Sequence, residues 1–157
     1  PYVDATIYES QRSRPVIPMI GRKVLVPWRF GDHGIPAQAV AIMSILLLHH
    51  REDIYPDPFA FRPERFLDTK PGTYTWIPFG GGIRRCLGAA FATMELNVVL
   101  RTLLRDFTFV PTNEPDERWY SRGVANQPAK GGLAVVRRRT VRVRPNEAAA
   151  TSTGARS

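Results

Sequence analysis

The chain has 157 residues, 43% of them hydrophobic, with 22 Lys plus Arg, 14 Asp plus Glu, 14 Pro, 12 Gly and one Cys. That is enough for one ordinary globular unit. A single cysteine closes no intrachain disulfide, and the longest near-apolar run, Ala39 to Leu48, is broken by Ser44 and falls well short of the ~18 residues of a transmembrane span. Of the net charge of +8, five charges belong to residues 137–157, which hold six Arg against Glu147. The end of that stretch, from Asn146 to Ser157, has no large apolar side chain and is expected to be a disordered tail. The opening residue is Pro1, with neither a basic start nor an apolar signal core behind it, so the sequence reads as a piece of a longer chain; the location expected for the protein is cytoplasmic.

Val3 to Arg12 lacks Pro and Gly and reads as the end of a helix, stopped by Pro15 and Pro18. Val16 to Ile20 and Lys23 to Val26 read as strands, with Gly31, Gly34 and Pro36 supplying turns. The apolar run Ala37 to Leu48 fits a strand followed by a helix, although periodicity alone does not decide. Nine of the fourteen prolines lie between Pro15 and Pro78, and Arg51 to Thr73 has little periodicity, which predicts an ordered loop. After Gly88, residues Ala92, Leu96, Val99, Leu100, Leu103 and Phe107 repeat as a helical apolar stripe. Met94 and Val98 widen it, so this helix is expected to be mostly covered, with Thr93, Asn97, Arg101 and Arg105 as a polar line elsewhere around it. Phe107 to Val110 and Leu133 to Val136 read as two final strands.

Just before the long helix stands Trp76-Ile-Pro-Phe79-Gly80-Gly81-Gly82-Ile-Arg84-Arg85-Cys86-Leu-Gly88. Three consecutive glycines let the backbone approach a large planar or anionic ligand. Cys86 is expected to start a helix beside two arginines, and helix amides and guanidinium charge both favour a thiolate. A phosphatase loop would need Arg where Ala92 stands, and a P-loop would need Gly-Lys-Ser/Thr. A zinc site lacks ligands, since only His33, His49 and His50 accompany the one Cys. A buried structural cysteine leaves the glycines and arginines unexplained. A haem pocket accounts for all of them: thiolate on iron, Gly-rich backbone against the porphyrin, arginines on the propionates.

The segment Phe79-Gly-Gly-Gly82-Ile-Arg84-Arg-Cys86-Leu-Gly88 resembles the haem-binding signature of the cytochrome P-450 family, Phe-x-x-Gly-x-Arg-x-Cys-x-Gly, at every fixed position. Glu9-Ser-Gln-Arg12 resembles that family's Glu-x-x-Arg motif. Phe61-Arg-Pro-Glu-Arg65-Phe66 resembles the segment whose arginine completes a Glu-Arg-Arg cluster. The spacing of three puts Glu9 and Arg12 on one helical face, and a carboxylate between two guanidiniums makes a buried charge cluster tolerable.

The resemblance covers nearly all of Val3 to Arg138, about the last third of the family fold. It implies a mainly α architecture with small β-sheets: the end of the Glu-x-x-Arg helix, short strands, a meander loop, the Cys haem loop, a long proximal helix and a terminal β-hairpin. Residues 1–138 would be the haem-binding portion and 139–157 a basic, then Ala/Thr/Ser-rich tail. The implied cofactor is haem b (iron protoporphyrin IX) on the thiolate of Cys86, cradled by Phe79, Gly80, Gly82, Arg84 and Gly88. Arg22 stands where many members place a second propionate-binding arginine. His49 and His50 match a structural position.

The resemblance also implies an oxidoreductase that inserts one atom of O2 into a small, apolar organic substrate, touched here by Val16 to Ile20 and the turn around Gly123 to Asn126. Electrons would come from an external ferredoxin or flavin reductase, since no Gly-x-Gly-x-x-Gly fingerprint is present. Arg85, Arg101 and Arg105 offer charge for docking such a donor. The family's distal oxygen-activating pair lies upstream of Glu-x-x-Arg, so no catalytic residue is assigned and the chain alone is expected to be inactive. A basic module binding nucleic acid or an acidic surface through Arg137 to Arg144, and an inactive remnant, are the alternatives; the basic segment lacks the aromatic interleaving of single-strand binders.

Overall fold

The computed structural model describes residues 1–139. Helix α1 spans Tyr2–Ser13, and its C-cap is Arg14, immediately before Pro15. Proline cannot continue a helix, so the stop is local. On α1 the buried residues Ala5, Glu9 and Arg12 follow the i, i+4, i+7 spacing of one face. That face meets the meander loop, whose one regular piece is a 3-10 turn over Pro63–Phe66.

The core is small. Ala5, Tyr55 and Phe66 form its buried cluster, with Tyr8, Ile54 and Trp76 packed around it. Tyr8 makes edge-to-face contacts with Phe66 at 5.9 Å and with Trp76 at 5.4 Å between ring centroids, the geometry that aromatic quadrupoles favour.

Strand β1, Met19–Lys23, pairs antiparallel with β4, Val40–Ser44, in the register Met19 with Ser44 to Lys23 with Val40. Between them β2, Trp28–Phe30, and β3, His33–Ile35, form a hairpin that turns through Gly31 at φ +55°. The two strands expected at Val16 to Ile20 and Lys23 to Val26 are thus one strand, centred on Gly21. Pro18 and Pro27, which supply no ladder donor, flank it and the loop that follows. The ambiguous run Ala37 to Leu48 resolves as strand then helix: β4 passes directly into α2, Ile45–His49. Ser44 makes the switch, its hydroxyl accepting the N–H of Leu47 at 3.2 Å as an N-cap.

Helix α3, Ala89–Asp106, leads into β5, Phe107–Phe109, which pairs antiparallel with β8, Val136–Arg138. The last strand therefore lies later than Leu133 to Val136. The intervening stretch contains a hairpin of β6, Trp119–Arg122, and β7, Ala125–Pro128, turning at Gly123 with φ +66°. The expected tail, save for Arg139, lies outside the described residues.

The expectation that α3 is mostly covered by its apolar stripe is corrected. Only Ala89 of this helix is buried, while Phe91, Met94, Val98 and Val99 are each at least half exposed. The polar line takes part in meeting α1: Arg101 donates to Asp4 at 3.2 Å, and Asn97 and Thr93, one and two turns earlier, are half-buried. Ala92, Leu100 and Leu104 are half-buried as well, so the covered face combines small, polar and apolar side chains, while Leu96, Val99 and Leu103 of the stripe stay exposed.

Candidate functional site

Two layers make the site. The lower one is the buried charge cluster on α1. Arg12 and Glu9 are both fully buried and form a bidentate pair, Nε to Oε2 at 2.7 Å and Nη2 to Oε1 at 2.8 Å. Oε1 of Glu9 also accepts the backbone N–H of Arg62 at 2.9 Å. Arg65 stands 3.6 Å from the same oxygen, a Coulombic neighbour rather than a hydrogen-bond donor, and spends its Nη2 on the carbonyl of Asp57 at 2.7 Å. The guanidinium of Arg12 further donates to the carbonyl of His49 at 2.7 Å and lies 5.2 Å from the ring centroid of Tyr55. The sequence motifs at Glu9, Arg12 and Arg65 thus meet in one cluster that holds α1 to the meander loop.

The upper layer is the cysteine loop. Gly80 N–H donates to the carbonyl of Ile77 and Cys86 N–H to that of Phe79, each at 2.9 Å, so the loop closes on itself across the glycines. Gly80 and Gly82 have φ of +69° and +63°, in the left-handed region where glycine carries no Cβ penalty. A Cβ added at Gly81 or Gly82 would meet nothing within 4 Å, so this backbone has an open face. Cys86 is an exposed free thiol. Ile83 and Leu87 beside it are fully exposed, and Arg84 and Arg85 are exposed too. Helix α3 begins at Ala89, so Cys86 lies three residues ahead of the helix rather than at its first turn. Gly88 is its N-cap.

The layers are joined through the residues ahead of the glycines. Trp76 Nε1 donates to the carbonyl of Tyr8 at 3.0 Å, and Tyr55 donates its hydroxyl to the carbonyl of Thr75 at 3.0 Å. The N–H of Ile77 donates to Nε2 of His49 at 2.9 Å. The resemblance gives His49 a structural position; its partners, the carbonyl of Arg12 and the N–H of Ile77, were not legible in the sequence. Burial pushes its pKa down to about 4, and the nearby Arg12 charge adds to the depression against a backbone hydrogen bond that opposes it.

Strand β1 borders the loop: Ile20 Cδ1 lies 3.6 Å from a Cβ built on Gly80. Arg22, two residues on and therefore on the same face of the strand, is exposed and donates to the carbonyl of Gly21. The two segments expected to touch substrate also meet, since Asn126 N–H donates to the carbonyl of Val16 at 2.7 Å. Of the surface arginines, Arg101 is engaged with Asp4 and Arg105 with Asp106.

An exposed thiol beside a Cβ-free backbone, with arginines on the loop and on the bordering strand, suits a flat, anionic, thiolate-ligated group, and the donor set fits haem. The family model for cytochrome P-450 matches residues 1–135. The chain belongs to the cytochrome P-450 family. It is 48% identical over 136 residues to a Mycobacterium tuberculosis protein carried under the name cytochrome P-450 138, covering 86% of this chain and 31% of that one. It is 38% identical over 130 residues to a second, under the name cytochrome P-450 137, covering 83% and 27%. Among solved structures, cyanobacterial CYP120A1 with retinoic acid bound superposes with a TM-score of 0.78 at 26% identity, over 88% of this chain and 32% of that one. A zebrafish cytochrome P-450 solved with abiraterone gives 0.76 at 30% identity, over 89% and 34%. The chain thus spans about a third of the length of these relatives. The described part is a partial cytochrome P-450 fold, of a family of haem- and iron-binding monooxygenases. No helix among the described residues is long and apolar enough to cross a membrane.

Proposed function

We propose that this chain is the haem-binding portion of a cytochrome P-450 monooxygenase acting on a small apolar organic molecule. One observation carries the reading: the signature loop Phe79 to Gly88 folds into a closed turn that leaves the Cys86 thiol and the glycine backbone open on one side. Cys86 would hold the iron, with Phe79, Gly80, Gly82 and Gly88 forming the surrounding backbone cradle. Arg84 on the loop and Arg22 on β1 would neutralise the propionates. The bound group, haem b, supplies the iron at which dioxygen is activated.

The chain's own residues bind and orient. The Glu9–Arg12–Arg65 cluster fixes α1 beneath the loop, Tyr8 and His49 anchor the approach to it, and Val16 with Asn126 forms one edge of the surface facing the substrate. No catalytic residue is assigned within residues 1–138, the proposed haem-binding portion. Residues 139–157 are read as a tail outside it. An external ferredoxin or flavin reductase would supply electrons on the side of the loop and α3. There Arg85 is exposed, whereas Arg101 and Arg105 already have carboxylate partners. The free thiol suits a reducing, cytoplasmic setting.

The test is the reduced carbon monoxide difference spectrum of the haem-loaded protein that contains this chain. A thiolate-type band that vanishes in Cys86→Ser supports the assignment; a band that survives the substitution refutes it.

A further inference from the structure

Among the described residues, His49 is the one fully buried histidine, and both of its ring nitrogens are engaged across chain separations of 28 and 37 residues. Nδ1 lies 3.1 Å from the carbonyl of Arg12. A carbonyl only accepts, so the ring must donate there. Nε2 lies 2.9 Å from the backbone nitrogen of Ile77. An amide N–H only donates, so Nε2 must be bare. The two partners together fix one neutral tautomer, with the proton on Nδ1. The carbonyl of the same residue accepts Nη1 of Arg12 at 2.7 Å, so His49 grips Arg12 twice, at its guanidinium and at its backbone.

Ile77 occupies a sensitive place in the cysteine loop. Its carbonyl accepts Gly80 N–H, the first hydrogen bond of the glycine turn. Pro78, next in the chain, has no N–H to offer. The imidazole therefore holds the donor side of the residue whose acceptor side starts the turn. From there the path runs through Phe79, whose carbonyl accepts the N–H of Cys86. A continuous run of hydrogen bonds and two-residue backbone steps links the Arg12 cluster to the thiol.

We propose that His49 is a positioning residue that sets the placement of the Cys86 loop on α1, and so the placement of the sulfur for its iron. The part concerning iron rests on the haem reading given above; the link from His49 to Ile77 stands without it.

The experiment compares His49→Gln with His49→Asn in the haem-loaded protein that contains this chain. Glutamine carries its amide out to about the position of Nε2, and its oxygen accepts Ile77 N–H. Asparagine reaches only the position of Nδ1, keeping the donation to Arg12 while leaving Ile77 N–H without an acceptor. Each variant deletes one hydrogen bond; asparagine, one methylene shorter, also leaves a small cavity that lowers global stability, so a role confined to packing predicts equal effects on the Ile77 amide once its exchange is taken relative to the other slowly exchanging amides.

Positioning predicts unequal ones. In His49→Asn the Ile77 amide should exchange with solvent faster by on the order of tenfold, and the thiolate-type carbon monoxide band should fall by about half or more. In His49→Gln both should stay near wild type. Equal exchange and equal spectra in the two variants overturn the proposal. A wild-type protein that lacks the thiolate band overturns the haem reading and the iron part with it, while the exchange contrast still decides the loop's attachment. If neither variant folds, nitrogen–nitrogen scalar coupling between the imidazole and the Ile77 amide of the unmutated protein replaces them, and its absence overturns the link.

Discussion

The carboxylate of Glu9 accepts the backbone N–H of Arg62, 53 residues away, at 2.9 Å while both its oxygens are held by Arg12. One buried side chain therefore satisfies a guanidinium on its own helix and an amide at the entrance to the Pro63–Phe66 turn. Such a group stabilises only while all its partners are present, because the charges are desolvated whether or not they are paired.

Replacing Glu9 with Ala should accordingly destabilise the fold by about 3 to 5 kcal/mol, the usual result of leaving a buried charge unpaired. Urea unfolding followed by far-ultraviolet circular dichroism measures it. A loss below about 1 kcal/mol, the range of exposed ion pairs, would mean that the cluster is solvated in solution. Haem content should fall together with folded yield, since the cluster supports the loop and touches no reacting atom.

Acid should loosen the chain through His49. Its folded pKa, about 4, lies below the 6.5 of an unfolded histidine. The unfolded state thus binds the extra proton first, and stability falls as pH drops from about 6.5 to about 4, then levels off for this group. The charges that face the ring are Arg12 from α1 and His50 from its own segment. A gap of that size corresponds to about 3 kcal/mol. Thermal melts across this interval should show the slope in the wild type and a flatter line in His49→Gln. An identical slope in the two would assign the acid sensitivity elsewhere.

The glycines of the loop should differ sharply from one another. Gly80 sits at φ +69°, where an added Cβ meets only Ile20 at an ordinary 3.6 Å, so the penalty of Gly80→Ala is conformational and about 1 to 2 kcal/mol. Gly81 is extended at φ −154° and has open space around its Cβ position. Gly81→Ala should therefore stay within about 0.5 kcal/mol of wild type. Yet on the open face Gly81→Ala places a methyl where the proposed group would lie, so haem affinity should drop without loss of stability. Haemin titration beside a thermal melt separates the two effects; wild-type affinity in Gly81→Ala would place the group elsewhere.

Cys86→Ser should leave folding alone, within about 0.5 kcal/mol, because the side chain is exposed. Matched melting curves alongside loss of the thiolate-type band would show that the thiol serves the ligand and not the fold. A large loss of stability in the unloaded protein would give Cys86 a structural role.

Much of this arrangement was legible in the sequence because it is local. The helix ends at Ser13 and Asp106, the glycine turn, and the spacing of Glu9 from Arg12 all depend on residues within a few positions of one another. What escaped depends on a partner far along the chain. The side of α3 that packs on α1 could not be chosen from its periodicity, because the stripe Leu96, Val99 and Leu103 marks an apolar face without saying what it meets. The hairpin Trp119 to Pro128 was hidden by short strands with little alternation. The double engagement of His49 had no local sign, since a histidine after a leucine run reads the same whether its ring is buried or free. Arg65 illustrates an intermediate case: the motif places it beside Glu9, but its closer bond, to the carbonyl of Asp57, is a matter of tertiary geometry.

The distances along the chain between these partners also order events in time. Arg12 finds its acceptors 37 and 48 residues later, at His49 and Ala60, and Glu9 its amide donor 53 residues later, at Arg62. Tyr8 waits 68 residues for the indole of Trp76. As the polypeptide leaves a ribosome, α1 emerges ahead of these partners, with Glu9 and Arg12 on the side that it will bury. Those charges need water until the residues from 49 to 77 have followed and can meet them. At synthesis rates of about 5–20 residues per second, that wait lasts seconds, far longer than the roughly microsecond in which a helix forms or a loop closes. The rate at which this chain folds should therefore be set by the arrival of the segment ahead of the cysteine, and a translational pause before Ile77 would hold it open.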